Sequence, residues 1–297
     1  MKIIKILLII AVIAAFVGFI FFMAALAAGG WDIRTLSTVV IEDKTYEENT
    51  ANEIQSITVK YDNADIKVTE GDAFSVKYPV KYTKSGKAIS KISVRDNGGA
   101  LYIEERVDAF RQIVGGLFDF TNPVIEITVP KGRVTSLRLE TDNGDVFIIG
   151  GEATEFKNIG IETDNSDTVF KNVSAESILL ETDNGDAKLE NVNVSGAIDI
   201  ETSNGEVDFY GTVAAGNIKI DTDNGEISAE NGVIDAKVLE IETDNGDVEI
   251  KLAGKKEDYS VTVKTDNGDK NISNSTGGER ILNIRTDNGD VEVYFAN

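Results

Sequence analysis

The five-residue sequence Thr-Asp-Asn-Gly-Asp constrains the fold of this chain more than any other feature, because it returns at a nearly constant interval. Intact or closely similar copies begin at Thr141, Thr163, Thr182, Thr202, Thr222, Thr243, Thr265 and Thr286. The steps between these copies are 22, 19, 20, 20, 21, 22 and 21 residues. Self-similarity at a fixed period of this size indicates a repeat architecture.

Each copy has the same internal pattern of an alternating apolar run, a turn and a second alternating run. In one copy Ile198 and Ile200 precede the turn at 203–206, and Val207 and Phe209 follow it. Alternation with a period of two places these four side chains on a buried strand face and the intervening acids in solvent. We assign the Asn-Gly pair to a tight turn, in which glycine supplies a positive φ.

Two architectures fit a strand–turn–strand repeat. In an antiparallel meander, Asn-Gly closes a hairpin and a second turn closes the next one. In a parallel solenoid, each repeat is one coil, and equivalent residues of neighbouring coils stack about 4.8 Å apart. The second turns vary in type whereas the Asn-Gly turn barely changes, and near-identity at one corner favours stacked coils. We therefore predict an all-β parallel solenoid with about 20–22 residues per coil, while the meander stays open.

One stretch also resembles a known family. Residues 124–132 form an apolar strand ended by Pro130, Lys131 and Gly132, and residues 137–146 lead into the first regular turn. This pattern resembles the LiaG-like putative adhesin family of bacterial β-strand-repeat domains, over roughly residues 50–297. The resemblance implies a right-handed β-solenoid (β-helix) displayed on the cell envelope. It brings no catalytic residues to carry over.

The N-terminus contains a long uncharged segment, from Ile6 to Ala28. As a helix it would span roughly 34 Å, enough to cross a bilayer core of about 30 Å. Lys2 and Lys5 precede it and the acidic bulk of the chain follows. The positive-inside rule then predicts a single-pass protein of the cell membrane with a cytoplasmic N-terminus and an extracellular ectodomain. A cleaved signal peptide, with Ala25–Ala27 as its cleavage box, is the alternative.

The composition divides the chain into four predicted regions. Residues 1–28 are a membrane anchor or uncleaved signal, and residues 29–55 a juxtamembrane linker. Residues 56–130 are irregular N-terminal coils with a cap, and residues 131–297 are the regular repeats. In the third region apolar residues recur at helical spacing: Val107, Phe110, Ile113, Val114, Leu117 and Phe118. We interpret them as a short amphipathic helix that caps the stack, or alternatively contacts a partner or membrane.

Composition also excludes several classes of function. The chain has no cysteine and no histidine, which removes disulfides, thiol nucleophiles, imidazole bases and ordinary zinc sites. A net charge of −22 opposes nucleic-acid binding and favours cations and cationic peptides.

Stacked coils would align acidic residues in three columns along one edge. The first column contains Glu140, Glu162, Glu181, Glu201, Asp221 and Glu242. The second contains Asp142, Asp164, Asp183, Asp223, Asp244, Asp266 and Asp287. The third contains Asp145, Asp167, Asp186, Glu206, Glu226, Asp247, Asp269 and Asp290. Calcium could bridge such columns, but the motif is not a known calcium loop. Turns in which Asp and Asn bond backbone amides of their own turn explain the same residues.

No catalytic, cofactor or metal residue is predicted, because no copy gathers a nucleophile, a base and an electrophilic helper. We predict a non-catalytic, membrane-anchored and adhesin-like interaction module. Its expected partners are an envelope protein, a cationic peptide or a second copy at the C-terminal edge, where Val291–Phe295 end the chain without a cap. A calcium-stiffened structural module is the alternative, and a polysaccharide-active β-helix enzyme is a minor one.

Overall fold

The computed structural model of the protein describes residues 2–47, 53–107, 119, 121–151 and 155–296. Within these residues the chain consists of β-strands, one N-terminal helix and two single-turn 3₁₀ segments, Ile33–Leu36 and Lys256–Asp258. The predictions of an all-β chain and of an N-terminal apolar helix are confirmed.

The N-terminal helix α1 spans Lys2–Ala28. Its segment Ile10–Ala28 has a mean hydropathy of 2.7 and none of it is buried, so it is long and apolar enough to cross a membrane. The helix ends in a Schellman motif, because Trp31 N–H donates to the Leu26 carbonyl at 2.9 Å and Gly30 N–H donates to the Ala27 carbonyl at 3.1 Å. Gly30 has the left-handed φ of 70° that this motif requires.

Twenty strands lie in the described residues. The first seven are β1 (Val39–Glu47), β2 (Ser56–Tyr61), β3 (Asp65–Gly71), β4 (Ser75–Thr83), β5 (Ser90–Asp96), β6 (Ala100–Val107) and β7 (Val124–Pro130). The next seven are β8 (Val134–Thr141), β9 (Val146–Ile149), β10 (Glu155–Thr163), β11 (Thr168–Lys171), β12 (Ser174–Thr182), β13 (Ala187–Thr202) and β14 (Val207–Thr222). The last six are β15 (Ile227–Ser228), β16 (Gly232–Thr243), β17 (Val248–Ala253), β18 (Tyr259–Asn267), β19 (Arg280–Asn288) and β20 (Val291–Ala296).

Each strand of the regular repeats pairs in parallel with the equivalent strand of a neighbouring coil, as a solenoid requires and a meander does not. Strands that precede the Thr-Asp-Asn-Gly-Asp turn pair in one series, and strands that follow it pair in a second series. The register aligns the motif threonines of successive coils: Thr141 with Thr163, Thr163 with Thr182, Thr182 with Thr202, Thr202 with Thr222 and Thr222 with Thr243.

The hydrophobic core lies between these two series of strands. Ile198, Ile200, Val207 and Phe209 are at most 1% exposed, so the predicted alternation is confirmed. The motif threonine also points inward and is at most 6% exposed in the six copies from Thr141 to Thr243. A β-branched residue suits this position because it packs well on a pleated surface.

In the coils that carry it, the motif glycine leaves room for the close approach of the neighbouring coil. A Cβ atom built on Gly205 would lie 2.0 Å from the Gly185 carbonyl oxygen, and one on Gly225 would lie 1.9 Å from the Gly205 carbonyl oxygen. These distances are far shorter than the roughly 3.5–4.0 Å between non-bonded heavy atoms in good contact. None of the motif glycines, all of which the structure describes, has a left-handed φ. The prediction that glycine supplies a positive φ is therefore wrong.

At the C-terminal end the coils do not stack in chain order. Strand β19 pairs with β16 on one side and with β18 on the other. The repeat that begins at Thr286 therefore lies between the repeats that begin at Thr243 and Thr265. The N-terminal coils are arranged similarly, because β2 lies between β6 and β8, and β3 lies between β7 and β9. Strand β4 pairs antiparallel with β7.

The outermost strand at the C-terminal end, β18, has much of its free edge covered. Val261 exchanges two backbone hydrogen bonds with Ser275, at 2.9 and 3.0 Å. Val263 N–H donates to Asn274 Oδ1 at 2.9 Å, and the Val263 carbonyl accepts a bond from Lys270 Nζ. The segment 270–278 thus shields the edge that would otherwise pair with another strand.

The last strand, β20, is also flanked on both sides. It pairs in parallel with β17, and Asn271 lies along its other side. Asn271 N–H donates to the Val291 carbonyl at 3.2 Å, and Val293 N–H donates to Asn271 Oδ1 at 2.9 Å. The expectation that β20 forms an uncapped end of the stack is therefore corrected.

The chain divides into two compact units. One contains Met1–Glu42, Val80–Lys91 and Val107–Asn122, and the other contains Asp43–Pro79, Ile92–Arg106 and Pro123–Asn297. The whole of the main hydrophobic core belongs to the second unit. Except for Val107, the last residue of β6, the residues of the predicted amphipathic helix (Phe110, Ile113, Val114, Leu117 and Phe118) lie outside the described residues.

Candidate functional site

The stacked Thr-Asp-Asn-Gly-Asp turns form one continuous corner of the solenoid, which we call the turn edge. It comprises residues 140–145, 162–167, 181–186, 201–206, 221–226, 242–247, 264–269 and 285–290. Its most regular feature is a ladder of asparagine side chains. Eight asparagines donate from Nδ2 to Oδ1 of the asparagine in the adjacent coil at 2.9–3.1 Å, and Asn63, at one end, accepts the first of these bonds. Of the described residues, nine form this ladder, in the order Asn63, Asn143, Asn165, Asn184, Asn204, Asn224, Asn245, Asn288 and Asn267.

The third acidic column is also used to join coils. Asp167 N–H donates to Asp145 Oδ1 at 3.2 Å, and Asp186 N–H donates to Asp167 Oδ1 at 3.0 Å. The same bond recurs towards the C-terminal end: Asp290 N–H to Asp247 and Asp269 N–H to Asp290. The turns were expected to satisfy their polar groups internally. The bonds instead run between coils, from the backbone N–H of one turn to the carboxylate of the equivalent acid in the next turn.

The first acidic column is compensated by basic residues at both of its ends. Lys60, in the coil before the regular repeats, lies 2.6 Å from Glu140, and Arg138 lies 3.2 Å from Glu162. At the other end Arg285 follows Glu242 in the stack and lies 3.5 Å from it. Partial burial alone would raise the pKa of Glu140, but its bonds to Lys60 and Arg138 lower that pKa overall.

The centre of the turn edge has no such compensation. Among the described residues, Glu181, Glu201 and Asp183 make no ion pair, and all three side chains are exposed. Neighbouring carboxylates about 5 Å apart repel each other by roughly 0.8 kcal/mol in bulk water, and by more where water is partly excluded. The turn edge is therefore a hydrogen-bonded backbone corner that carries unneutralised negative charge.

Partial burial and this repulsion together raise the pKa values of two acids at the turn edge. Partial burial, together with the charges of Asp62 and Asp164, raises the pKa of Asp142. Partial burial and the neighbouring carboxylates of Glu206 and Asp247 raise the pKa of Glu226. In both cases the folded protein disfavours the charged form. A bound cation would relieve this cost.

The described residues of the turn edge offer few groups that could bind a small ligand or a metal ion. Among the described residues, no group of three or more acidic side chains converges in a way that could hold a metal ion. A shallow groove of about 390 Å³ adjoins the C-terminal end of the first column and includes Lys219, Lys264 and Arg285. Each of these basic groups already pairs with an acid, such as Asp266 at 2.7 Å from Lys264. The groove therefore presents no free cationic side chain.

Sequence reasoning identified the acidic columns but missed the asparagine ladder. The signal was present, because asparagine persists where the rest of the motif changes. Asn63 precedes alanine in the irregular first coil, and Asn165 precedes Ser166, which replaces the motif glycine. Ser166 links its coil to the neighbouring one through its own side chain, because its Oγ accepts a hydrogen bond from Gly144 N–H at 2.9 Å.

Comparison with known proteins agrees with this architecture. The sequence profile of the Toastrack DUF4097 family matches residues 54–294. No curated protein matches the chain.

Several solved structures are similar. A "putative adhesin" from Parabacteroides distasonis has 12% identity over 85% of this chain and 97% of its own, with a TM-score of 0.49. A "putative lipid binding protein" from the same organism has 13% identity over 86% and 97%, with a TM-score of 0.48. A "putative adhesin" from Bacteroides fragilis has 15% identity over 86% and 97%, with a TM-score of 0.46. At these identities and TM-scores nothing about the function of this chain follows from them.

Proposed function

Because the chain belongs to the Toastrack DUF4097 family, an all-β, solenoid-like family, we propose that it is a non-catalytic, adhesin-like interaction module. It is anchored in the cell membrane and presents its turn edge outside the cell to a cationic partner. The observation that carries this proposal is the centre of the turn edge. There Glu181, Glu201 and Asp183 are exposed and unpaired on a backbone corner that is hydrogen-bonded from coil to coil.

The rigidity of the turn edge matters because ordering a flexible surface costs binding free energy. Backbone bonds such as Asn204 N–H to the Asp183 carbonyl, at 2.9 Å, hold the turns in place before any partner arrives. A pre-organised row of like charges attracts an oppositely charged partner without that ordering cost. The same charges accelerate encounter and suppress binding of anionic partners.

The partner class follows from the charge. A basic peptide, or a basic patch on an envelope protein, would relieve the carboxylate repulsion that, together with partial burial, raises the pKa values of Asp142 and Glu226. Nucleic acid and anionic lipid headgroups would increase that repulsion. Self-association through the C-terminal edge stays a prediction, but its structural basis is reduced because segment 270–278 covers part of β18.

Display outside the cell rests on α1. Lys2 and Lys5 at its N-terminus favour a cytoplasmic start by the positive-inside rule. The predicted cleavage box Ala25–Ala27 lies within the helix, and the carbonyls of all three residues accept hydrogen bonds from the capping turn. We therefore favour a retained anchor. The mass of the chain recovered from whole cells and from the medium distinguishes the two forms, because cleavage after Ala27 would remove the helix.

The handedness of the coils, the LiaG-like resemblance and the division of the chain into regions belong to the same proposal. Parallel strands connected within one sheet are almost always joined by right-handed crossovers, so we propose that the coils wind to the right. We place the chain with LiaG-like members on the pattern of residues 124–146. We retain an anchor at 1–28, a linker at 29–55 that includes β1, irregular coils at 56–130 and regular repeats at 131–297.

A binding titration tests the proposed function. The probe is a fluorescent deca-lysine peptide, and the protein is the full chain in detergent micelles. We expect saturable binding that weakens as salt is added, because the attraction is between exposed charges. The triple variant Glu181→Gln, Asp183→Asn and Glu201→Gln should weaken binding by about tenfold, corresponding to a loss of roughly 1.4 kcal/mol.

A second triple variant controls for net charge. Glu155→Gln, Glu176→Gln and Glu257→Gln remove three exposed acids away from the turn edge and change the net charge equally. This variant should bind deca-lysine nearly as well as the native chain. Equal weakening by the two triple variants would show that the peptide responds only to overall charge, and the turn edge would then lose its proposed role.

A further inference from the structure

The motif turns repeatedly place asparagine directly before glycine, a pair with a known chemical weakness. These pairs begin at Asn143, Asn184, Asn204, Asn224, Asn245, Asn267 and Asn288. Glycine has no side chain to hinder its backbone nitrogen, which can attack the amide carbon of the preceding asparagine. Whether this reaction occurs in a folded protein depends on how firmly the amide and the glycine are held.

Inside the ladder both ends of the side-chain amide are held. Asn204 Nδ2 donates to Asn184 Oδ1 at 2.9 Å, and Asn204 Oδ1 accepts from Asn224 Nδ2 at 3.0 Å. The next residue, Gly205, is buried beneath the adjacent coils. Attack by the glycine nitrogen would require breaking both hydrogen bonds of the Asn204 side-chain amide and moving the turn away from the neighbouring coils.

Asn267 is different because it is the last member of the ladder. Its Nδ2 donates to Asn288 Oδ1 at 3.0 Å, but no donor to its Oδ1 exists among the described residues. It lies at the end of β18, the outermost strand, beyond the part that Ser275 and Asn274 cover. Gly268 is exposed, whereas every other motif glycine is buried or half-buried.

We propose that Asn267 is a site of spontaneous deamidation, with water as the co-reactant. The Gly268 backbone nitrogen forms a bond to Asn267 Cγ and loses its proton, while the Cγ–Nδ2 bond breaks and ammonia leaves. The resulting five-membered succinimide adds one water molecule at either carbonyl. The products are aspartate or isoaspartate at position 267, and no oxidant or reductant is needed.

The modification would loosen the outer coil. The new carboxylate has no hydrogen to donate, so Asn288 Oδ1 loses its partner and faces a negative charge. The neighbouring Asp269 adds to the repulsion, since it is an exposed acid of the same turn. Deamidation at position 267 would therefore weaken the attachment of β18 to β19.

Peptide mapping by mass spectrometry tests the proposal. The native full chain in micelles is incubated at mildly alkaline pH, and samples are digested at intervals. We expect conversion at Asn267 to be at least several-fold faster than at Asn204. Asn97, which precedes the exposed Gly98 in a hairpin outside the ladder, gives the rate of an unprotected pair. In urea the rates at Asn267 and Asn204 should become equal. Equal rates at these two positions in the folded chain would overturn the proposal.

A stability measurement tests whether the hydrogen bonds of the ladder stabilise the stacked turns. Asn204→Ala, in the middle of the ladder, should lower the melting temperature more than Asn267→Ala, because it removes two ladder bonds, one donated and one accepted, instead of one. If Asn267→Asp leaves both the melting temperature and proteolysis near β18 unchanged, the proposed loosening of the outer coil is wrong.

Discussion

Replacing Gly205 with alanine should destabilise the solenoid strongly although only one methyl group is added. The new Cβ would lie 2.0 Å from the Gly185 carbonyl oxygen and 2.9 Å from Thr202 Oγ1. The shortest real contacts of Cβ atoms are about 3.0 Å, so the two coils must separate locally by about 1 Å. Both obstructing groups belong to the packed interior and cannot rotate away.

The cost can be estimated from the bonds that cross the same step. Asn204 N–H lies 2.9 Å from the Asp183 carbonyl, and Asn204 Nδ2 lies 2.9 Å from Asn184 Oδ1. A separation of about 1 Å breaks both, at about 0.5–1.5 kcal/mol each. Overpacking adds about 1–3 kcal/mol. We expect a total of roughly 2–6 kcal/mol, which corresponds to a fall in melting temperature of roughly 4–12 °C at about 2 °C per kcal/mol.

Thermal unfolding followed by circular dichroism measures this effect, and Gly160→Ala is the matched control. Gly160 lies in β10 of the same solenoid, and the nearest atom to its added Cβ would be the Leu137 carbonyl oxygen at 3.9 Å, an ordinary contact. That substitution should be neutral or stabilising by up to about 1 kcal/mol. If Gly205→Ala melts at the same temperature as Gly160→Ala, steric approach between coils is not the reason for the motif glycine.

Three further predictions concern charge and the membrane. Partial burial and neighbouring acids raise the pKa of Glu226 in the folded state, so its ionised form costs stability above that pKa. Glu226→Gln should therefore raise the melting temperature at neutral pH. This gain should vanish below about pH 4, where the carboxyl is protonated in the unfolded state as well. Trp31 is the only tryptophan of the sequence and is exposed just after α1. In vesicles its fluorescence should therefore shift to shorter wavelength and be quenched by brominated lipids. An unshifted, unquenched spectrum would place Trp31 away from the membrane–water interface. If calcium bridges the acidic columns, calcium but not magnesium should raise the melting temperature and EDTA should reverse the rise; equal melting would reject the calcium-stiffened alternative.

The sequence predicted the structure best at positions where a residue contacts the equivalent residue of a neighbouring coil. Alternation in Ile198–Phe209 correctly predicted which side chains are buried, and the constant turn favoured parallel coils over hairpins. The inward threonine and the asparagine ladder follow from the same repetition. The ladder is not evident from any single copy of the motif, because each of its bonds joins asparagines of two different coils.

The order of the terminal coils could not be predicted in the same way. The repeats that begin at Thr265 and Thr286 have similar patterns, so local sequence does not show which of them packs on the repeat of Thr243. Their order depends on the segment 270–278, which crosses the edge of β18 and bonds it. The Asn-Ser-Thr sequence at 274–276 carries no pattern that indicates an edge-covering role, because that role depends on its bonds to Val261 and Val263 in β18.

The most direct test of the central claim is cysteine labelling on intact cells, since the chain has no native cysteine. Ser203→Cys places a thiol on the turn edge, and Ser195→Cys places one at an exposed position away from it. Both should react with a membrane-impermeant maleimide without permeabilisation, and deca-lysine should slow the reaction at position 203 only. Labelling of position 203 only after permeabilisation, or equal slowing at both positions, would contradict an outward-facing turn edge that binds cationic partners.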